Sequence, residues 1–271
     1  MGPFFSGLSG AWSSPGAFPM KKITRKRKDS NPLAGTATGD DLFAGEKPEA
    51  VDREDSPPPT GWIGTDESGK GDYFGPLVAA AVWVNSEIEK KLLGWGVRDS
   101  KKITDKRATD LAAQIIAEIP HAVVLIGPEK YNELYAKIRN LNRLLAWAHA
   151  RAIENLLDEV VCDTVIADKF GDEKYIKDAL LQKGREVTLI QKVRAESDTA
   201  VAAASVVARA EFLQRLAILS KSLGVELHKG AADPVDQLGL QILRTGGEDK
   251  LRKAAKWHFK NTQKILRLNE C

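Results

Sequence analysis

Cysteine is scarce in this chain. The 271 residues include two, Cys162 and Cys271, far apart and in no CxxC, so neither a disulfide framework nor a zinc site is implied. Cys162, after Val160-Val161, reads as a small buried hydrophobe, and unpaired thiols fit a reducing cytoplasm. No run approaches the ~20 apolar residues of a membrane-crossing helix. The four histidines, His121, His149, His228 and His258, form no ligand spacing. Net charge is also small: 40 Lys and Arg against 37 Asp and Glu leave +3, too little to announce a nucleic-acid binder.

What the chain does have is a tandem acid pair in a glycine-rich turn, Asp66-Glu67-Ser68-Gly69-Lys70-Gly71-Asp72-Tyr73-Phe74-Gly75-Pro76. The apolar stretch Trp62-Ile63-Gly64-Thr65 leads into it, and a second, Leu77 to Val84, follows. Adjacent carboxylates at the end of a buried strand repel; at roughly 4 Å and an effective dielectric near 20 the cost is about 4 kcal/mol. A compensating cation removes that cost, so the pair reads first as part of a metal site. The segment also nearly spells a phosphate-cradling loop, but position 71 is Gly where that loop needs Ser or Thr. Asp66 and Glu67 inside the cradle would repel a polyphosphate, which rejects the nucleotide reading.

Charge is unevenly placed. Basic clusters fall at Lys21–Lys28, at Lys101-Lys102 with Lys106-Arg107, and from Lys250 to Lys264. Basic surface around an anionic, metal-loaded centre suits a phosphodiester substrate. Residues 1–59 are rich in Gly, Ser, Pro and charge, lack apolar periodicity and end in Ser56-Pro57-Pro58-Pro59. That composition predicts a disordered arm and linker. Its charged block follows the weak apolar stretch, the reverse of a signal peptide. Pro3 beside Gly2 argues against myristoylation. Met20, directly before Lys21-Lys22, is the expected true start.

From residue 60 strands and helices alternate. The patterns predict strands at Trp62–Asp66, Leu77–Val84, Ala122–Ile126, Thr164–Ala167 and Val187–Ile190. Helices are expected over Thr104–Ile119, from Pro128 to about Ile138, and along the stripe Leu141, Leu144, Leu145, Ala148, Ala152 and Leu156. The longest spans about Ser197–Leu223, and its small-residue centre, Ala200 to Ala208, permits close approach to a sheet. The C-terminal part is helical, with Pro234 near one start and Gly246-Gly247 near one end. The expected class is α/β with a mixed sheet.

Acids that reach the same sheet edge as Asp66 and Glu67 can be picked out. Asp168 ends a strand, whereas Asp163 begins it and points to the opposite end. Glu196 and Asp198 flank the start of the long helix, where the dipole favours carboxylates. Glu196 precedes the first turn and is placed to project toward the sheet edge, while Asp198 reads as an N-terminal helix charge.

These residues resemble type 2 ribonucleases H, and among them ribonuclease HIII, over about residues 60–268. The likeness runs through the tandem-acid turn, Asp99-Ser100-Lys101-Lys102, Asn140 to Trp147, Ala195-Glu196-Ser197 before Val201 to Ser205, and His258-Phe259-Lys260-Asn261-Thr262. It implies a ribonuclease-H-like mixed β-sheet flanked by helices, with a C-terminal helical extension, as one catalytic domain over 60–271. Asp66, Glu67, Asp168 and Glu196 are the implied catalytic and metal-binding acids, holding two Mg²⁺ or Mn²⁺ ions with Asp66 as the bridge. Glu at the fourth place is similar to HIII, where HII usually has Asp. Gly69-Lys70-Gly71 stands where HII has Gly-Arg-Gly, and with Ser100, Lys101 and Lys102 forms the implied substrate-binding set. Lys229 is a weaker phosphate contact, and His258 is expected to be packed. Family members also carry an N-terminal domain resembling the TATA-box-binding fold, for which residues 1–59 are too short and too polar.

The activity implied is endonucleolytic hydrolysis of the RNA strand of RNA/DNA hybrids, leaving 5′-phosphate and 3′-hydroxyl ends. The expected protein is a cytoplasmic monomer with no membrane contact. Two alternatives stand beside this: HII-like cleavage at single ribonucleotides embedded in duplex DNA, and a catalytically silent hybrid-binding protein.

Overall fold

Alternating apolar strands and amphipathic helices assemble as one mixed five-stranded sheet covered by helices on both faces. The computed structural model describes residues 61–97, 103–169, 171–180 and 183–270. The arm expected over 1–59 lies outside the described residues, as do Asp99, Ser100, Lys101 and Lys102.

Strand β1 (Gly61–Ser68) pairs antiparallel with β2 (Leu77–Asn85), and β2 pairs antiparallel with β3 (His121–Ile126). On its other side β1 pairs parallel with β4 (Thr164–Asp168), which pairs parallel with β5 (Thr188–Lys192), giving the order β3-β2-β1-β4-β5. β2 is apolar from Leu77 to Val84 because both of its faces are covered.

The helices are α1 (Ser86–Gly94), α2 (Asp105–Glu118), α3 (Pro128–Ile138), α4 (Leu141–Leu157), α5 (Glu173–Ala179), α6 (Thr199–Leu223), α7 (Asp233–Ala254) and α8 (Lys260–Glu270). Local chemistry sets their starts. Thr104 caps α2, Asn140 caps α4, and Asp198 caps α6 by accepting from the N–H groups of Ala200 and Val201. Pro opens α3 and lies in the first turn of α7. The expected interruption at Gly246-Gly247 is a break inside α7, where Gly247 has φ 72° and two helical segments meet.

α1 and α5 fall outside the helices expected from the sequence pattern. α1 follows β2 with no intervening turn residue, and only the Asn85 side chain, accepting from the Ile88 N–H, marks the switch. α5 is a bare two turns.

One core joins the α6 face of the sheet to α2, α7 and α8 through residues such as Val82, Leu111, Val207, Phe212, Ile242 and Ile265. A second joins Ile63, Ala81 and Val165 to α4 and α5. Cys162 is half-buried, with its thiol directed to the carbonyls of Gly61 and Thr164. Among the described residues no helix is long and apolar enough to cross a membrane.

Candidate active site

The parallel strands β1, β4 and β5 deliver their carboxyl ends to one edge of the sheet, where sites of open α/β sheets gather. Thr65 pairs with Ala167, so Asp66 and Asp168 are the next positions along neighbouring strands. Beyond β5, a short 3₁₀ turn, Ala195–Ser197, carries Glu196 into the start of α6. The Ala195 N–H donates to Asp168 Oδ1 at 3.0 Å, tying that turn to the end of β4. Asp198 has the helix-start role expected of it and also accepts from Trp62 Nε1 at 3.1 Å.

Strand alternation changes the picture of the tandem acids. Successive side chains of a strand leave on opposite faces. Thr65 and Glu67 reach toward α4, where His149 meets both, while Asp66 turns to α6 and Ser205. The two acids are thus held from different sides, although the Glu67 charge still acts on Asp66. Burial is the first cause that pushes the Asp66 carboxyl up, to about 6, with the charge of Glu67 second. Glu67 goes the other way. Burial would raise it, but the hydrogen bond and charge of His149, together with Lys70, outweigh burial and hold it below the usual carboxylate range. The Lys70 ammonium lies 3.4 Å from Glu67 Oε1.

All four sequence-predicted acids, Asp66, Glu67, Asp168 and Glu196, line one cleft of ≈ 340 Å³ with Gly69, Lys70, Gly71 and Ser205. Among the described residues no three His, Cys, Asp or Glu side chains converge tightly enough to clasp an ion as they stand. Partners within the protein already engage these acids: Asp66 accepts the Glu67 N–H, Glu67 meets His149 and Lys70, and Asp168 accepts from Ala195. The donor set nevertheless fits a hard divalent cation, being all oxygen, multiply anionic and grouped on one wall.

The glycine-rich turn is braced from behind. Gly69 has φ 87°, and a Cβ there would meet the Pro76 carbonyl at 2.2 Å, so only glycine makes this turn. Asp72 Oδ1 accepts the Gly230 N–H at 2.6 Å, and the Gly75 N–H donates to the Ala254 carbonyl at 2.9 Å. Lys256, fully buried, donates from Nζ to the carbonyls of Asp72 and Gly75 at 2.8 Å and of Phe74 at 3.4 Å. Burial pushes its ammonium down to about 7, against the opposing pull of Asp72.

The basic-surface reading of Lys250 to Lys264 therefore needs correction at two positions. Lys256 is an internal brace, and Lys264 is paired with Asp233 and Asp236. Lys229, the weaker phosphate candidate, pairs with Asp105. His258 is packed as expected, stacked on Tyr135 with ring centroids 4.0 Å apart. Missed from sequence were His149, Thr65 and Ser205. A histidine on the buried stripe of α4 was the one available signal.

Comparison with known proteins bears on this geometry. The family profile described as Ribonuclease HII matches residues 63–262. The Ribonuclease HIII of Protochlamydia amoebophila (strain UWE25) is 47% identical over 204 residues, covering 75% of this chain and 68% of that protein. That of Chlamydia pneumoniae is 46% identical over 206 residues, covering 75% and 69%. The crystal structure of Bst-RNase HIII in complex with Mn²⁺ superposes with a TM-score of 0.73 at 34% identity, covering 79% of this chain and 71% of that one.

Proposed function

This chain belongs to the ribonuclease HII family, and on that premise we propose that it hydrolyses the RNA strand of RNA/DNA hybrids with Asp66, Glu67, Asp168 and Glu196 as its catalytic acids. The observation that carries the reading is that these acids, from β1, β4 and the turn after β5, line a single cleft beside Gly69-Lys70-Gly71. Two Mg²⁺ or Mn²⁺ ions held by these acids would supply activation of the attacking water and charge neutralisation at the departing 3′ oxygen. A solved relative holding Mn²⁺ supports that cofactor class.

The chain's own residues do the rest. Asp66, between the sheet and α6, would be the central ligand for such ions. Glu67, Asp168 and Glu196 would complete the donor set. Gly69 and Gly71 carry no side chains, so the backbone of their turn approaches the ribose and reads its 2′-hydroxyl. Lys70 supplies a point positive charge to a phosphate. Ser100, Lys101 and Lys102 join the substrate contacts by the family resemblance. No side chain in the cleft serves as a separate general base. The products carry 5′-phosphate and 3′-hydroxyl ends. The chain acts as a monomer in the cytoplasm, a reading that sedimentation and cell fractionation test.

A cleavage panel of RNA/DNA hybrid, a DNA duplex with one embedded ribonucleotide, and single-stranded RNA, each with Mg²⁺ and Mn²⁺, tests the assignment. The expected result is multiple internal cuts in the hybrid's RNA strand and none in single-stranded RNA. Cleavage confined to the single-ribonucleotide duplex would transfer the assignment to an HII-like excision activity. Binding of hybrid with no cleavage under either metal would make the chain a binder.

A further inference from the structure

His149 is fully buried on α4, yet both of its ring nitrogens are engaged. Nδ1 lies 2.8 Å from Thr65 Oγ1, and Nε2 lies 3.0 Å from Glu67 Oε2. The Thr65 hydroxyl also donates to the Ala80 carbonyl at 2.8 Å, so the Nδ1 side of the ring is tied through Thr65 to the backbone of β2. The ring is thus clamped in orientation by the sheet, with its Nε2 edge presented to Glu67.

We propose that His149 is a positioning residue that fixes the Glu67 carboxylate toward the cleft for binding divalent metal. The inference rests on the reading of Glu67 as a metal ligand. Two observations carry it. Burying an imidazole in a sheet–helix core requires both nitrogens to find partners, and here one partner is a candidate ligand while the other is backbone-anchored. Strand alternation also turns Glu67 away from Asp66, toward α4, so the acid needs a hold on that side to stay at the cleft mouth. A hydrogen-bonded partner behind a ligand commonly governs metal affinity by 10–100-fold. Lys70 holds the other oxygen of Glu67 from solvent, but its long stem leaves the angle loose.

The test titrates Mn²⁺ alone into the full-length protein, following loss of the free-ion paramagnetic resonance signal, for wild type, His149→Gln, His149→Asn, His149→Leu and Asp66→Asn. A glutamine amide nitrogen falls where Nε2 was and keeps the contact to Glu67. An asparagine amide falls where Nδ1 was and keeps only the contact to Thr65. The expected result is Mn²⁺ affinity within about threefold of wild type for His149→Gln and weaker by about 10–100-fold for His149→Asn and His149→Leu. A purely structural histidine would change melting temperature in these variants without that ordering.

Equal affinities for the Gln and Asn variants, with Asp66→Asn impaired, would overturn the positioning role and leave the metal site standing. Unimpaired binding by Asp66→Asn would overturn the metal site and this inference with it. Should His149→Leu fail to fold, the Gln and Asn pair decides the matter alone.

Discussion

Gly64 on β1 lies directly against Ala200 on α6: a Cβ at position 64 would stand 2.2 Å from the Ala200 carbonyl carbon and 2.2 Å from the Val201 nitrogen. Both clashing atoms are backbone, so no side-chain rotation relieves them. Gly64→Ala must push helix and strand apart, and that strand carries Asp66 and Glu67 two and three residues on. The expected loss of stability is about 3 kcal/mol, at the upper end for overpacking, read as a lower denaturant midpoint at unchanged slope. Metal-dependent cleavage should fall with it. A variant as stable as wild type would show that the sheet and α6 are not packed so closely.

Asp66 is held near 6 by burial and by the charge of Glu67, so ionised Asp66 is costly in metal-free protein. Asp66→Asn removes that charge and keeps the shape. Its melting temperature in chelator should rise above that of wild type, while millimolar Mg²⁺ or Mn²⁺ should raise wild type alone. Cleavage should fall by about two to three orders of magnitude or more, the scale for losing one group that stabilises transition-state charge, with hybrid binding largely kept. Retained cleavage would remove Asp66 from the chemistry.

His258 sets an acid limit on stability. Burial, and then the charge of Lys256, depress its imidazole from 6.5 to about 4, and its Nδ1 is buried without a partner among the described residues. The unfolded chain therefore binds a proton that the folded chain refuses between about pH 4 and 6.5. Stability from this group is complete above pH 6.5 and drains away as pH falls toward 4. His258→Phe keeps the stacking on Tyr135 and should flatten that part of the profile in chemical denaturation. Parallel profiles for the two proteins would contradict the assignment.

Lys256 braces the glycine-rich turn through three carbonyls. Lys256→Met fills similar space but leaves those acceptors unmet at about 1–3 kcal/mol each, partly offset by relief from burying an ammonium. A net loss of about 2 kcal/mol is expected, with a raised KM for hybrid because the Gly69–Gly75 backbone loosens. An unchanged KM would show that the turn does not depend on this brace.

The alternation of strands and helices and the small-residue stretch of α6 were legible in the sequence, because each is a local property of residue type and spacing. Period-two and period-3.6 patterns reveal which segments bury a face, and the resemblance connected four acids scattered between positions 66 and 196. What the chain order cannot express is which way a side chain leaves its strand and what waits there. Only the packed sheet gave Asp66 and Glu67 different partners, turned Lys256 from a presumed surface charge into an internal brace, and set His149 between Thr65 and Glu67. Those outcomes depend on contacts between residues 82 to 184 positions apart, and on burial strong enough to change what each ionisable group prefers.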